Sequence, residues 1–275
     1  MTKQVSRPSL SHRVNFWIRD HLVVFYGIAA LIYLFAPILV VAIFSFNKPE
    51  GRQNSTWNEF SLDAWTNICR DQNICASLQT SLQIGIGSTI LATILGTLIS
   101  FALVRHRFHG RSTTNLLIFL PMATPEVVLG ASLLALFLSI GLPLGPVTVF
   151  IAHTMFCISF VVVTVKARLQ GMDPRLEEAA QDLYADEKAT FRYVTLPLVA
   201  PGIAAAALLS FSLSFDDYII TSFNSGTTVT FPMYVWGAAQ RGIPAQVNVI
   251  GTIMFAGSLA MVLIAQAVGR ARQKR

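Results

Sequence analysis

Charged residues are scarce in this chain of 275 residues, of which 12% are Asp, Glu, Lys or Arg and 53% are hydrophobic. The mean hydropathy is +0.58. A single soluble core of this size cannot bury so much apolar surface, because the buried fraction of a folded chain is limited by its size. The composition therefore excludes an ordinary soluble domain and predicts that the lipid bilayer surrounds most of the chain.

The sequence also lacks the short motifs that carry common catalytic chemistry. None of its five lysines follows a glycine, so the Gly-Lys-Ser/Thr core of a phosphate-binding P-loop is missing. There is no Gly-x-Ser-x-Gly nucleophile motif, no His-Glu-x-x-His pair and no paired-cysteine metal site. We therefore expect a protein that is not an enzyme and that binds no cofactor or metal itself.

Only three cysteines are present, and we expect them to differ in role. Cys157 lies inside an apolar run and is interpreted as a packing residue. Cys69 and Cys75 fall in the one long outer loop, 47–79, which the topology below places on the oxidising side of the membrane. Two alternatives stay open for this pair, a disulfide or two unpaired thiols.

Apolar runs long enough to cross a bilayer make up most of the chain. A helix needs about 20 apolar residues to cross the ~30 Å hydrocarbon layer. Six segments qualify, so the sequence predicts an all-α membrane protein with six transmembrane helices. These segments are Leu22–Phe46, Thr80–Val104, Leu116–Ile140, Val147–Val165, Val199–Phe223 and Val247–Val268.

Basic residues are distributed unevenly between the two sides of the predicted helices. With the N-terminus in the cytoplasm, 16 of the 20 Lys and Arg residues fall in cytoplasmic segments, as the positive-inside rule requires. Both termini are thus expected in the cytoplasm, and the net charge of +6 requires no nucleic-acid partner. The predicted parts are a cytoplasmic segment 1–21, a transmembrane domain 22–268 with a cytoplasmic loop 169–198, and a basic tail 269–275. The first helix is expected to remain as an anchor, because no small-residue cleavage site follows it.

Small residues repeat at helical spacing along the second predicted span. One side of this span carries small residues, while leucine and isoleucine take the other. The small residues are Gly85, Ser88, Thr89, Ala92, Thr93, Gly96, Thr97 and Ser100. Small side chains let helix backbones approach closely in lipid. This side is therefore predicted to be a helix–helix interface.

Two prolines interrupt the third predicted span. Pro121 and Pro125 each remove a backbone donor, and Thr124-Pro125-Glu126 has the form of a helix cap, a first-turn proline and a first-turn acid. We predict a helix that restarts near mid-membrane, with Glu126 about 15 Å from the cytoplasmic end of the span. A charge there is costly unless water, a partner or a solute compensates it. The alternative is that Glu126 is protonated or only caps the restarted helix.

Two further acids, Asp216 and Asp217, lie in the outer half of the fifth predicted span. Adjacent helical side chains point about 100° apart, so one of the two can face a pathway while the other bonds to a neighbouring helix or the interface. The alternative is that both cap a helix end at the interface. With Glu126 they are the three acids of the spans, and no Lys or Arg lies near the middle of any span. Unpaired carboxylates predict a cationic solute, with Asp216 or Asp217 as the preferred contact.

Aromatic residues accompany these acids. Tyr218 follows them directly, and Tyr234 and Trp236 lie in the predicted last outer loop. Their ring faces could hold a cation or an alkyl chain. The alternative is an aromatic belt at the outer membrane interface.

A polar stretch of 25 residues, from Glu177 to Pro201, stands apart from the apolar runs. Just before it, Asp173-Pro174 is a typical helix start. Apolar residues then follow at i, i+3, i+4 and i+7, which predicts a short amphipathic helix. These are Leu176, Ala179, Ala180 and Leu183. A second short helix is predicted to begin at Asp186 and to end before Leu196-Pro197. Together they would form a rigid cytoplasmic knob.

The spacing of this stretch resembles the signature loop of ABC importer permeases. That loop reads Glu-Ala-Ala, three residues, Gly, nine residues, Ile, one residue, Leu-Pro. Here Glu178–Ala180 is followed at the same spacings by Tyr184, Val194 and Leu196-Pro197. Tyr184 replaces the family's glycine and is expected to be strained if the turn needs a left-handed residue.

The resemblance implies a coupling function for this loop, because in that family it forms a helix that docks on the ATPase subunit. Nucleotide-driven closure of the ATPase would then be converted into rocking of the membrane helices. The residues expected to make the contact are Glu177, Glu178, Ala179, Ala180 and Tyr184.

Three other segments, 120–130, 211–218 and 241–248, look like the second permease subunit of spermidine/putrescine importers. They read LPMATPEVVLG, FSLSFDDY and RGIPAQVN. The resemblance implies a type I ABC importer permease fold in the bacterial inner membrane and polyamine transport by alternating access. It also implies the partners: a second permease, two copies of an ATPase that bind ATP and Mg, and an external solute-binding protein.

Two alternatives to this interpretation stay open. The first is an importer of the same architecture for another solute, such as an amino acid, a thiamine-like cation or iron. The second is an ion-coupled carrier or a non-transporting scaffold, in which the signature loop would have no purpose.

Overall fold

The computed structural model describes residues 10–51 and 53–273, and side chains within 21–51, 53–260 and at residue 263. Much of the predicted N-terminal segment 1–21 and of the basic tail 269–275 therefore lies outside the described residues. The regular secondary structure of the described part is helical, apart from one isolated bridge between Asn47 and Phe60. In chain order the helices are α1 (Leu10–Phe44), α2 (Asp63–Thr66), α3 (Gln72–Arg105), α4 (Arg111–Ala123), α5 (Glu126–Ser139), α6 (Pro146–Gln170), α7 (Arg175–Asp182), α8 (Glu187–Thr190), a π-helical turn (Phe191–Thr195), α9 (Leu196–Asp216), α10 (Ile219–Asn224), α11 (Phe231–Arg241) and α12 (Ala245–Gln273).

The chain divides into two compact units, one of residues 1–70 and 238–275 and the other of residues 71–237. In the first unit, the rings of Phe35 on α1 and Phe255 on α12 meet edge to face at 6.3 Å. A small apolar cluster joins α2 to α12 through Ala64, Ala245 and Val249. This unit therefore has its own packing, centred on α1, α2 and α12.

The second unit is built around α3, α6 and α9. Its core includes Ala92, Val161 and Ala206, all fully buried. The predicted small-residue interface on α3 is confirmed, because Gly85, Ser88, Ala92, Gly96 and Ser100 are buried there. At Gly96 a Cβ atom would lie 2.6 Å from Cγ1 of Val161, so only glycine permits this approach of α3 to α6.

Within the described residues, four helices are long and apolar enough to cross a membrane, and the bent pair α4–α5 makes a fifth if it counts as one span. The four are His21–Phe44, Gln72–Arg105, Pro146–Gln170 and Glu187–Asp216. The sixth predicted span, Val247–Val268, extends beyond the residues whose side chains are described, and its described apolar part is the shorter helix Ala245–Ala260. The prediction of an all-α chain with several apolar spans is confirmed.

The predicted break in the third span is present but differs in detail. The chain bends by 110° between α4 and α5, and Pro121 lies inside α4 without ending it. Thr124 ends α4 rather than starting α5, because its hydroxyl donates a hydrogen bond to the Leu120 carbonyl at 2.7 Å. The depth predicted for Glu126 assumed a straight helix. Because the chain bends sharply between α4 and α5, that depth no longer follows.

The fifth predicted span is also different. The second short helix was predicted to end before Leu196-Pro197, but α8, the π turn and α9 run on as one apolar helix, Glu187–Asp216. In a regular α-helix the ring of Pro197 would clash with the carbonyl four residues earlier. A π turn with an i to i+5 hydrogen bond, from Leu196 N–H to the Phe191 carbonyl, directly precedes this proline. The helix then ends at Asp216 rather than Phe223, and α10 follows separately.

The predicted outer loop 47–79 contains more regular structure than expected. It includes α2, and α3 begins at Gln72, where the Asp71 side chain accepts a hydrogen bond from the Asn73 N–H. Of the two alternatives for the loop cysteines, the disulfide is present, since Cys69 and Cys75 are both disulfide-bonded. Cys157 is a free, buried thiol, as predicted for a packing residue.

Candidate functional site

Asp216 and Asp217 lie where α9 ends and α10 begins, and their side chains diverge. Asp217 has the extended backbone angles φ −64° and ψ 125°, which interrupt the helix. Asp216 is exposed, whereas the Asp217 side chain is only 5% exposed. The expectation that the two carboxylates cannot face the same space is confirmed. We call residues Asp216–Tyr218 the α9–α10 junction.

Asp217 is held by hydrogen bonds from the start of α10 and lies beside His153 of α6. Its carboxylate accepts from the Thr221 N–H and the Thr221 hydroxyl, each at 2.8 Å, and from the Ile220 N–H at 3.3 Å. These bonds cap the start of α10. The His153 Nε2 lies 3.3 Å from the same carboxylate. We expected one of the two acids to bond to a neighbouring helix, and Asp217, beside His153 of α6, is that acid. The expectation of an unpaired carboxylate therefore does not hold for Asp217.

His153 on α6 was not singled out from the sequence. Its side chain is 3% exposed, and its Nδ1 lies 2.7 Å from the Ser214 hydroxyl of α9. Ser214 in turn lies 2.9 Å from the Ser88 hydroxyl of α3. The available signal was its position, since it is the one histidine within the six spans predicted from the sequence. We call Ser88, His153, Ser214, Asp217 and Thr221 the buried polar network.

The aromatic candidates separate into two groups. The rings of Tyr218 and Trp236 contact each other at a tilt of 34°, with centroids 5.2 Å apart, and Trp236 is 55% exposed. Tyr234 instead donates a hydrogen bond from its hydroxyl to Asp71 at 2.8 Å. The Asn73 N–H and then this hydroxyl lower the pKa of Asp71 below its usual value. Tyr234 and Trp236 were expected in a loop but belong to α11.

Glu126 begins α5 and is exposed. α5 packs on α10 so closely that a Cβ on Gly130 would lie 2.8 Å from the Phe223 ring. The Asn224 side-chain amide also donates to the Gly130 carbonyl at 3.3 Å. The two helix breaks that carry Glu126 and Asp216 are thus connected through α5 and α10.

Among the described residues, no group of His, Cys, Asp or Glu is arranged to hold a metal ion.

The predicted knob is present as α7 and α8, residues 175–190. Asp186 caps α8, because its carboxylate accepts a hydrogen bond from the Ala189 N–H at 2.7 Å. The start predicted for the second helix is therefore confirmed. The apolar side of α7 is not covered by the chain, since Leu176 is 46% and Leu183 is 82% exposed. We call α7, the turn after it and α8 the α7–α8 knob.

The two neighbouring glutamates of α7 differ in their surroundings. Glu177 accepts two hydrogen bonds from the guanidinium of Arg105 and one from the Thr195 hydroxyl. Its side chain is 16% exposed. Glu178 is exposed, and no hydrogen bond links its side chain to any residue of the described ranges. Glu177 therefore attaches the knob to α3 and to the π turn, while Glu178 and Ala179 are open to a partner.

Tyr184 occupies the left-handed position that ends α7. Its φ is 61°, and it is fully exposed. The Ala185 N–H bonds to the Ala180 carbonyl at 3.1 Å and the Tyr184 N–H to the Gln181 carbonyl at 2.9 Å. These two bonds define a Schellman ending, in which glycine is the usual residue at this position. The strain expected for Tyr184 in such a turn is thus present.

Comparison with known proteins gives one consistent family. Residues 92–274 match the model of the binding-protein-dependent transport system inner membrane component. The chain is 36% identical to the spermidine/putrescine transport system permease protein PotC of Haemophilus influenzae, over 86% of this chain and 92% of the relative. It is also 36% identical to PotC of Escherichia coli K12, over 88% and 91% of the two chains. For the putrescine transport system permease protein PotI of the same strain, the identity is 35% over 86% and 88%.

Solved structures with similar folds are chains of ABC transporters. A bacterial alginate transporter in complex with an alginate-bound periplasmic protein matches with a TM-score of 0.67 and 15% identity, over 95% of this chain and 96% of that one. An amino acid ABC transporter matches with a TM-score of 0.59 and 15% identity, over 77% and 100%. At these identities the likeness shows the fold.

Replacing Tyr184 by glycine is expected to stabilise the end of α7 by about 1 kcal/mol. A left-handed conformation costs a non-glycine residue roughly 1–2 kcal/mol, and the greater freedom of glycine in the unfolded chain offsets part of the gain. Hydrogen exchange of the Ala185 amide, which closes the Schellman ending, should slow in Tyr184→Gly. The control Leu183→Gly changes an exposed neighbour with a φ of −88° and should speed this exchange. Faster exchange in Tyr184→Gly would contradict the assignment.

Replacing Glu177 by glutamine is expected to loosen α7. The lost ion pair with Arg105 is partly exposed and is therefore worth only about 1 kcal/mol, which corresponds to roughly fivefold faster exchange of the α7 amides. Combining Glu177→Gln with Arg105→Gln should add little, because both changes remove the same contact. Glu178→Gln, one residue away and exposed, serves as the control and should leave the exchange unchanged. Equal exchange in Glu177→Gln and Glu178→Gln would rule out the attachment.

Proposed function

The chain belongs to the family of binding-protein-dependent transport system inner membrane components, and from this premise we propose that it is a permease subunit of an ATP-driven polyamine importer. It is a multi-pass protein of the bacterial inner membrane. Its relatives PotC and PotI are permeases of spermidine/putrescine and putrescine transport systems. The chain covers about nine-tenths of each, which supports the same cargo class here.

The proposed topology has six spans and both termini in the cytoplasm. The spans are α1, α3, the bent pair α4–α5, α6, the continuous helix from α8 to α9, and α12. The excess of basic residues in the segments assigned to the cytoplasm supports this orientation. The α7–α8 knob then lies in the cytoplasm, and the α9–α10 junction lies towards the outer side.

The proposed assembly contains a second related permease, two copies of an ATPase and an external solute-binding protein. ATP and Mg would be bound by the ATPase, because this sequence has no P-loop. On the knob, the exposed apolar residues Leu176 and Leu183 and the fully exposed Tyr184 offer a docking surface next to Glu178 and Ala179. Ala180 is half-buried, and Glu177 is engaged within the chain, so we assign both to holding the surface in place.

Cargo recognition is proposed for the exposed carboxylates and the ring pair beside them. Polyamines are flexible chains with several ammonium groups, which carboxylates neutralise and aromatic faces attract. Asp216 is the exposed acid of the junction, and Glu126 is the exposed acid of the other helix break. Tyr218, two residues after Asp216, contacts the ring of Trp236 on α11. Asp217 is proposed to hold the site in place and not to contact the cargo, since its carboxylate is buried and hydrogen-bonded.

The observation that carries the proposal is the continuous helix between knob and junction. Glu187–Asp216 contains 30 residues, which at about 1.5 Å each extend roughly 45 Å. A movement of the knob imposed by an ATPase would therefore reach Asp216 through one rigid element. Such a connection is what alternating access requires, because nucleotide binding on one side must change the site for the cargo on the other.

Asp216→Asn and Glu126→Gln are expected to reduce spermidine uptake by the reconstituted complex. Losing a charged contact to an ammonium group should lower uptake at subsaturating spermidine by roughly tenfold for Asp216→Asn. Uptake and spermidine-stimulated ATP hydrolysis should be measured in proteoliposomes. Glu50→Gln removes another exposed acid, outside the helices, and serves as the control. Wild-type uptake in both Asp216→Asn and Glu126→Gln would refute the carboxylate pathway.

Glu178→Arg is expected to abolish co-purification of the ATPase with this chain. The change reverses the charge of an exposed residue on the docking surface and should not disturb the fold, since Glu178 supports no contact within the described chain. The control Glu50→Arg makes the same reversal in the segment assigned to the outer side. An ATPase that still co-purifies in normal amount with the Glu178→Arg chain would show that the knob is not its docking surface.

A further inference from the structure

The buried polar network contains a histidine for which the proposed function has no use. His153 lies in α6, among the apolar residues of the second unit, with its side chain 3% exposed. A buried imidazole in such surroundings must have hydrogen-bond partners on both nitrogens to avoid a large desolvation cost. Its two nitrogens have such partners, and these lie on different helices.

The partners of His153 connect four helices. Its Nδ1 lies 2.7 Å from the Ser214 hydroxyl of α9, which is itself 2.9 Å from the Ser88 hydroxyl of α3. On the opposite edge of the ring, Nε2 lies 2.9 Å from the Thr221 hydroxyl of α10. The imidazole therefore links the body of the bundle, made of α3, α6 and α9, to the short helix α10, in addition to the hydrogen bond from the Thr148 hydroxyl of α6 to the Asn224 carbonyl of α10.

The directions of the hydrogen bonds can be assigned from the partners. The Thr221 hydroxyl donates its proton to Asp217, at 2.8 Å from Oδ2. Its oxygen then accepts from His153, so Nε2 carries a hydrogen and points at the Thr221 oxygen and the Asp217 carboxylate. Nε2 lies 3.3 Å from that carboxylate. His153 therefore donates towards the one buried acid of the junction.

The carboxylate of Asp217 determines how the chain passes from α9 to α10. It accepts from the N–H groups of Ile220 and Thr221, which open α10, while its own backbone leaves the helical conformation. Asp216 and Tyr218 are its two chain neighbours. A shift of the Asp217 side chain would therefore change the directions of the carboxylate before it and the ring after it.

We infer that His153 is a positioning residue for cargo binding: through Asp217 it fixes the α9–α10 junction, so that Asp216 and Tyr218 are oriented for the cationic cargo. This inference rests on the proposed function, because it assumes that the junction binds the polyamine. His153 itself does not touch the cargo, since its ring is buried and both nitrogens are occupied.

The test compares two replacements of His153 in the reconstituted complex. His153→Leu keeps the approximate volume but removes both hydrogen bonds, whereas His153→Gln keeps an amide that can donate to Asp217 and accept from Ser214. We expect His153→Leu to raise the KM for spermidine uptake by roughly tenfold with Vmax within about twofold of wild type, because orientation of the cargo contacts is lost. His153→Gln should restore KM to within about threefold of wild type. His106→Leu replaces an exposed histidine and is the control.

A double-mutant cycle separates this role from general destabilisation. If His153 acts through Asp217, His153→Leu combined with Asp217→Asn should raise KM no further than the larger single change. Combination with Asp216→Asn should instead raise KM further. Unchanged KM in His153→Leu would overturn the inference. So would a fall in Vmax and in the amount of assembled complex at constant KM, because that pattern belongs to a residue needed only for folding.

A second measurement does not depend on the cargo. Hydrogen exchange of the Ile220 and Thr221 amides, which Asp217 holds, should accelerate by roughly tenfold in His153→Leu and stay near wild type in His153→Gln. Failure of the wild-type complex to take up any polyamine, together with this acceleration, would refute the proposed cargo and leave His153 as the residue that fixes the junction. Uptake by wild type without any acceleration would refute the inference and leave the proposed function intact.

Discussion

A carboxylate inside a lipid-embedded bundle must be hydrogen-bonded or solvated, and this constraint determines the architecture around Asp217. The side chain is 5% exposed, so it depends on donors from the protein. Two of them are N–H groups at the start of α10, which are free because a helix begins there. The other two are the Thr221 hydroxyl and the imidazole of His153. The N–H groups that the helix break leaves free therefore donate to the buried carboxylate, which needs such donors.

The same constraint explains why the neighbouring acid has a different role. Asp216 ends α9 and is exposed, so its charge is available to whatever solution or solute fills the space beside it. The long helix that ends at Asp216 begins at the α7–α8 knob. At that end Glu177 joins the knob to α3 and the π turn through Arg105 and Thr195. One continuous helix thus connects the surface that we propose for the ATPase with the acid that we propose for the cargo.

Much of this was predictable from the sequence, because the relevant signals are local. Apolar run length predicted several of the spans but not the bounds of the fifth, and helix-start signals with apolar periodicity predicted the two short helices of the knob. Proline before an acid predicted the break at Glu126. The predictions that failed depend on contacts between residues far apart in the sequence, or on a backbone geometry that residue propensities do not describe. His153 and Asp217 are 64 positions apart in the numbering, so periodicity carries no information about their contact. The continuous helix through Pro197 depends on a π turn, which the usual rule for residues before proline does not include.

Tyr184 stands at a left-handed position where the family pattern has glycine. A left-handed tyrosine costs roughly 1–2 kcal/mol relative to a glycine, so the turn persists only because other interactions hold it. Two Schellman hydrogen bonds close the end of α7, and Asp186 caps α8 immediately afterwards. Glu177, two turns earlier, anchors the start of the same helix. With both ends of the knob fixed, the turn retains its shape and the whole tyrosine side chain is presented on the surface. The tyrosine therefore costs stability at this position, while the two Schellman hydrogen bonds still close the end of α7.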